Sequence, residues 1–119
     1  IHVSPTPFSG SGGIAVTRPS LPGFPIGITS GTYANTLNMT LASSYNSGYL
    51  TANGGTPASA EAAFAGHVAA GRAYWNIHTS YGPGGEIRGF LTLVPEPSAL
   101  AIVGLGAVAL ARSRKVIGK

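Results

Sequence analysis

The sequence predicts a mainly β protein, a small antiparallel sandwich or barrel carrying one Ala-rich helix. Three observations predict it. Residues 72–79 and 86–93 each alternate apolar and polar side chains. Gly82, Pro83, Gly84 and Gly85 lie between them, so the pair reads as a hairpin. Residues 33–41 alternate too, with Leu37, Met39 and Leu41 on one side and Thr36, Asn38 and Thr40 on the other, the pattern of a half-buried antiparallel strand. The composition agrees: Gly (18) and Pro (9) are abundant and only 8% of residues are charged, too few for a solvated helical bundle or a charge-driven disordered chain.

The chain opens on Ile1-His2-Val3, already strand-like, and is read as beginning inside a domain. Residues 4–31 are broken by Pro and Gly, leaving room for one short strand at 13–17. After the strand at 33–41, residues 43–55 are polar and end in the turn signal Asn53-Gly54-Gly55. Thr56 followed by Pro57 suits a helix start, and Gly71 suits its stop, so the helix covers 57–70. Phe64 and Val68 then share its inner face, and His67 falls on the exposed side. In the first hairpin strand Ala73, Trp75, Ile77 and Thr79 share one face; Tyr74, Asn76 and His78 share the other. In the second, Ile87, Gly89, Leu91 and Leu93 point inward. Asn76 and His78 are expected to hydrogen-bond a neighbouring loop. Glu86 and Arg88, two residues apart, are placed to meet cross-strand neighbours or to close the loop.

Several function classes are excluded or disfavoured. Without cysteine there is no disulfide framework, thiolate metal site or cysteine nucleophile. The net charge of +4 resides in the tail: Arg112, Arg114, Lys115 and Lys119 are basic, whereas residues 1–111 balance Arg18, Arg72 and Arg88 against Glu61, Glu86 and Glu96. A nucleic-acid partner needs a basic stripe over a folded surface, and none is expected. The only imidazoles are His2, His67 and His78, and there is no Asp; no metal site is assigned, with His2 and His78 the candidate pair. No paired acid and base and no nucleophile motif appear, so no catalytic residue, no cofactor and no enzymatic activity are expected.

The C-terminal segment reads Val94-Pro95-Glu96-Pro97-Ser98, then an uncharged apolar run at 99–111, then Arg112-Ser113-Arg114-Lys115. As a helix the run would be about 20 Å long at 1.5 Å per residue, short of the roughly 30 Å hydrocarbon core. The basic cluster would stay on the cytoplasmic side, leaving the body across the membrane. This order of features resembles the PEP-CTERM sorting signal of Gram-negative bacteria. The resemblance implies export, transient inner-membrane anchoring by a hydrophobic helix at about 98–111 with basic tail 112–119, and processing by an exosortase. Pro95, Glu96 and Pro97 would be its recognition motif, and Arg112, Arg114 and Lys115 its stop cluster. It also implies association with exopolysaccharide and biofilm.

Residues 73–79, Ala-Tyr-Trp-Asn-Ile-His-Thr, followed by Pro83-Gly84-Gly85-Glu86-Ile87-Arg88-Gly89, are similar to the closing motif of the CHRD (chordin-type) domain. Ile1-His2-Val3, with the Gly-rich turn and Ile14-Ala15-Val16 after it, resembles that family's earlier His-x-His strand, begun at its second His. The likeness covers residues 1–93, a partial domain, with 94–119 as the sorting segment. It implies an incomplete immunoglobulin-like sandwich in an exported protein with no established enzymatic activity, and makes Asn76, His78, Thr79, Gly84, Gly85, Glu86, Arg88 and Gly89 motif residues of structural or binding use. The helix would be an insertion. The expected function is an exported, non-catalytic cell-surface domain. Two alternatives stand beside it: a module binding protein or glycan through Tyr33, Tyr45, Tyr49, Tyr74 and Tyr81, and a metal-dependent redox protein built on His2 and His78.

Overall fold

The structure is a computed structural model that describes residues 1–16 and 21–94. The expected sorting triplet, hydrophobic helix and basic cluster at 95–119 lie outside the described residues. Among the described residues no helix is long and apolar enough to cross a membrane.

Four strands form one antiparallel sheet: β1 (His2–Val3), β2 (Gly13–Ile14), β3 (Ala73–Ile77) and β4 (Ile87–Phe90), in the order β2-β1-β3-β4. β1 is central. His2 lies opposite both Ile14 and Tyr74, and Val3 opposite both Gly13 and Ala73. The predicted β3–β4 hairpin forms, with Tyr74 opposite Phe90, Trp75 opposite Gly89, Asn76 opposite Arg88 and Ile77 opposite Ile87. The described residues thus make one sheet, not the two layers of the expected sandwich. The second layer is supplied by loops and helices between β2 and β3.

That layer builds the core. Ala15, Val16 and Leu21 are buried, and Val3, Phe24, Tyr33, Leu37, Met39, Tyr49, Phe64 and Trp75 pack around them. Phe24, Tyr33 and Trp75 meet as an aromatic trio with centroids 5.2–5.8 Å apart, Tyr33 standing at 90° to Trp75. Residues 33–41 are not a strand. Leu37 and Met39 do turn inward, but among the described residues no strand lies alongside, and the segment ends in a turn closed by Asn38, whose side chain accepts from the Thr40 N–H at 3.0 Å. Alternation here marks an extended segment lying on a core rather than a ladder. The inward expectation also fails for Ile87 (58% exposed) and Leu93 (68%), Leu93 lying past the end of β4.

The Ala-rich helix spans Pro57–Ala69 and is labelled α2; a shorter helix, α1 (Ser47–Ala52), precedes it within the stretch read as polar. The Asn46 side chain caps α1 by accepting from Gly48 N–H at 3.0 Å. Thr56 caps α2 reciprocally with Ser59, and Pro57 occupies the first turn. At the other end Gly71, at φ +65°, lets the Gly71 N–H reach Val68 O (3.0 Å) and the Arg72 N–H reach His67 O (2.8 Å).

His67 is not on the exposed side. It is half-buried beside Tyr49, ring centroids 6.3 Å apart, on the same inner face as Phe64 and Val68. Burial, with the Arg72 charge as a second cause, holds its pKa below the ordinary value. The unfolded chain therefore binds this proton more readily than the folded one. The contribution to stability is complete above the ordinary histidine value of about 6.5 and is lost as pH falls below it. Urea unfolding midpoints should drop on acidification through that window, and His67→Gln should flatten the drop.

Candidate functional site

The sheet has two unlike faces. One covers the core; the other carries the side chains of β1, β3 and β4 that alternate away from it: His2, Tyr74, Asn76, Arg88 and Phe90. His78 joins them from the start of the loop after β3.

Tyr74 is the pivot. It is 1% exposed although it lies on this outer face, because its neighbours enclose it. The His2 ring stacks on it (5.2 Å, 23°), Phe90 lies 5.5 Å away, and the Arg88 guanidinium carbon sits 4.4 Å from its ring centroid. Its hydroxyl accepts the Gly12 N–H at 2.9 Å. Gly12 has room for no side chain: a Cβ there would overlap the Val3 carbonyl oxygen and lie 2.9 Å from Ser4 Cα. That close approach brings the carbonyl of Gly12 to His2 Nδ1 (3.0 Å).

The family-motif residues converge on one loop. Arg88 Nη1 donates to Gly10 O (2.6 Å), and its Nε donates to Asn76 Oδ1 (3.4 Å). This orients the Asn76 amide, whose Nδ2 donates to Gly84 O (3.1 Å) and faces His78 Nε2 (3.3 Å). His78 Nδ1 lies 2.8 Å from Pro83 O. The expected loop bonds of Asn76 and His78 are therefore present. Gly85, at φ +113°, lies so close to the Asn76 amide that any Cβ would collide with it. The Thr79 hydroxyl donates to Glu86 and accepts from the Tyr81 and Gly82 N–H groups, stapling the turn. Gly84 contributes its carbonyl. Gly89 meets no close neighbour at its Cβ position, and the geometry supplies no steric reason for glycine there.

Both histidines on this face have a determined tautomer. A carbonyl only accepts, so Nδ1 of each ring is the donor to it, and Nε2 of His78 accepts from the Asn76 amide. The His2 pKa lies below the ordinary value; burial is the main cause, with the Gly12 carbonyl opposing it and the chain terminus, His78 and Arg88 adding repulsion. The two rings are 5.8 Å apart at 38°. They are the expected candidate pair, and the fold brings them together; among the described residues no group of three or more His, Cys, Asp or Glu converges. Of the five tyrosines proposed for sugar stacking, Tyr45 and Tyr74 are buried, Tyr33 and Tyr49 half-buried, and Tyr81 is 94% exposed.

Sequence reasoning missed Gly12, Ser11 and the pivot role of Tyr74. The adjacent Gly12-Gly13 was the available signal, but it reads equally as an ordinary turn.

Comparison with known families adds two findings. The CHRD domain model matches residues 3–91. The PEP-CTERM protein-sorting motif matches residues 93–115. No curated protein and no solved structure matches the chain.

Proposed function

The chain belongs to the CHRD domain family and ends in a PEP-CTERM protein-sorting motif, and from that premise we propose that it is a non-catalytic module displayed at the cell surface and held in the extracellular polysaccharide matrix. The motif supports export and sorting to the cell surface and implies processing by an exosortase-type enzyme. In this reading the hydrophobic helix at about 98–111 is a transient inner-membrane anchor. Its shortness relative to the hydrocarbon core suits a temporary tether. Arg112, Arg114 and Lys115 hold its inner end, and Pro95, Glu96 and Pro97 are read by the processing enzyme. The outer face of the four-stranded sheet, built from His2, Asn76, His78 and Arg88, is the surface offered to a partner.

The observation that carries the proposal is the order of unlike segments: a folded body to residue 94, then the triplet, the apolar run and the basic cluster. In cells, an antibody against the body should label intact cells expressing the full chain. Replacing Pro95, Glu96 and Pro97 by Ala should abolish the surface signal and trap unprocessed chain in the inner membrane. An exclusively cytosolic signal with the tail intact would end the proposal.

A further inference from the structure

We propose that His2 and His78 form a two-imidazole site for a divalent transition-metal ion on the outer face of the sheet. Three features converge. Both Nδ1 atoms are committed to backbone carbonyls, Gly12 O at 3.0 Å and Pro83 O at 2.8 Å, which leaves Nε2 of each ring as the donor atom. Histidine ligands commonly have this support, their other nitrogen donating to a carbonyl that fixes tautomer and ring orientation. The spacing suits a shared ion. A metal about 2.0–2.1 Å from an imidazole nitrogen lies about 3.2 Å from the ring centre, so two rings on one ion stand about 4.5 Å apart at a right angle, about 5.2 Å at a tetrahedral angle and about 6.4 Å when opposed. The observed separation is 5.8 Å.

The rings are also held in place before any ion arrives. His2 is stacked on buried Tyr74. His78 is flanked by the Asn76 amide, itself oriented by Arg88 and by Gly84 O; the 3.3 Å contact from Asn76 Nδ2 to His78 Nε2 is what an ion would displace. Water would fill the remaining coordination positions. Imidazole ligands suit copper and zinc alike, and by the general affinity order of divalent ions such a site binds copper(II) more tightly than zinc(II). The Arg88 guanidinium near His2 opposes a cation, and its bonds to Gly10 O and Ser11 and its seat over Tyr74 hold it to one side.

The inference goes beyond the surface-module reading and does not rest on it. Ion binding is read on purified chain and sorting in cells, so either can fail alone. The test is calorimetric titration of the full chain with copper(II), the Ile1 amine acetylated to prevent chelation. One ion should bind per chain. His2→Gln and His78→Gln should each weaken binding about tenfold or more, and His67→Gln should leave it unchanged. Because a variant can lose its fold, zinc(II) is also added to unmutated chain carrying nitrogen-15 imidazoles. The Nε2 signals of His2 and His78 should shift while their Nδ1 signals stay protonated. Absent stoichiometric binding, binding that survives His78→Gln, or shifts at His67 in place of this pair would overturn the proposal.

Discussion

Gly12→Ala is expected to separate β1 from β2 and unfold most of the chain. A Cβ at this position would overlap the Val3 carbonyl oxygen and lie 2.6 Å from its carbon, so the obstacle is backbone, which cannot rotate aside. β1 and β2 have two residues each, so a ladder this short has few other contacts to hold it once the Gly12 backbone is pushed away. The displacement would also remove the N–H that Tyr74 accepts and the carbonyl that holds His2. Losses above about 4 kcal/mol are uncommon for one substitution and come from mechanisms of this kind. A small domain with a total stability of roughly 5–15 kcal/mol loses much of it here. Gly13→Ala is the control: nothing lies within 4 Å of its Cβ position, and the loss should stay below about 1 kcal/mol. Urea unfolding of the two variants measures the difference, and equal midpoints would show that the close approach does not govern the sheet.

The contrast between these adjacent glycines shows what the sequence can and cannot disclose. Gly12 and Gly13 are the same residue in the same local pattern, and only the path of β1 past them, set by residues far along the chain, tells them apart. Where the determinants are local, the reading succeeds. The β3–β4 hairpin follows from alternation and its Gly/Pro turn, and α2 from Thr56, Pro57 and Gly71. Where burial depends on what lies opposite, it fails. Residues 33–41 alternate yet have no strand beside them among the described residues, and Ile87 and Leu93 alternate yet stay exposed. α1 escaped because its six residues carry no apolar period; its start rests on the Asn46 cap. Asn76, His78, Arg88 and the Gly84-Gly85 pair were legible as a motif. Their common purpose, orienting the outer face through one amide, needed the register that sets Asn76 opposite Arg88.

Tyr74→Ala should be the second severe substitution, and its variants separate fold from site. The side chain is fully enclosed, and truncating a buried aromatic typically costs about 3–5 kcal/mol. Part of that is the cavity among His2, Phe90 and Arg88; part is the hydroxyl. Tyr74→Phe keeps the ring and strands the Gly12 N–H, which should cost about 1–3 kcal/mol. The stacked guanidinium adds about 0.5–1 kcal/mol at such an exposed site, and Arg88→Met should lose that together with its bonds to Gly10 O and Asn76. Tyr74→Leu keeps an apolar side chain, somewhat smaller and without the hydroxyl, but gives His2 no flat surface to stack on. If the outer face depends on that stacking, Tyr74→Leu should remain folded by circular dichroism while its affinity for copper(II) falls toward that of His2→Gln. A folded Tyr74→Leu chain that binds the ion at full strength would mean that His2 is positioned by the Gly12 carbonyl alone.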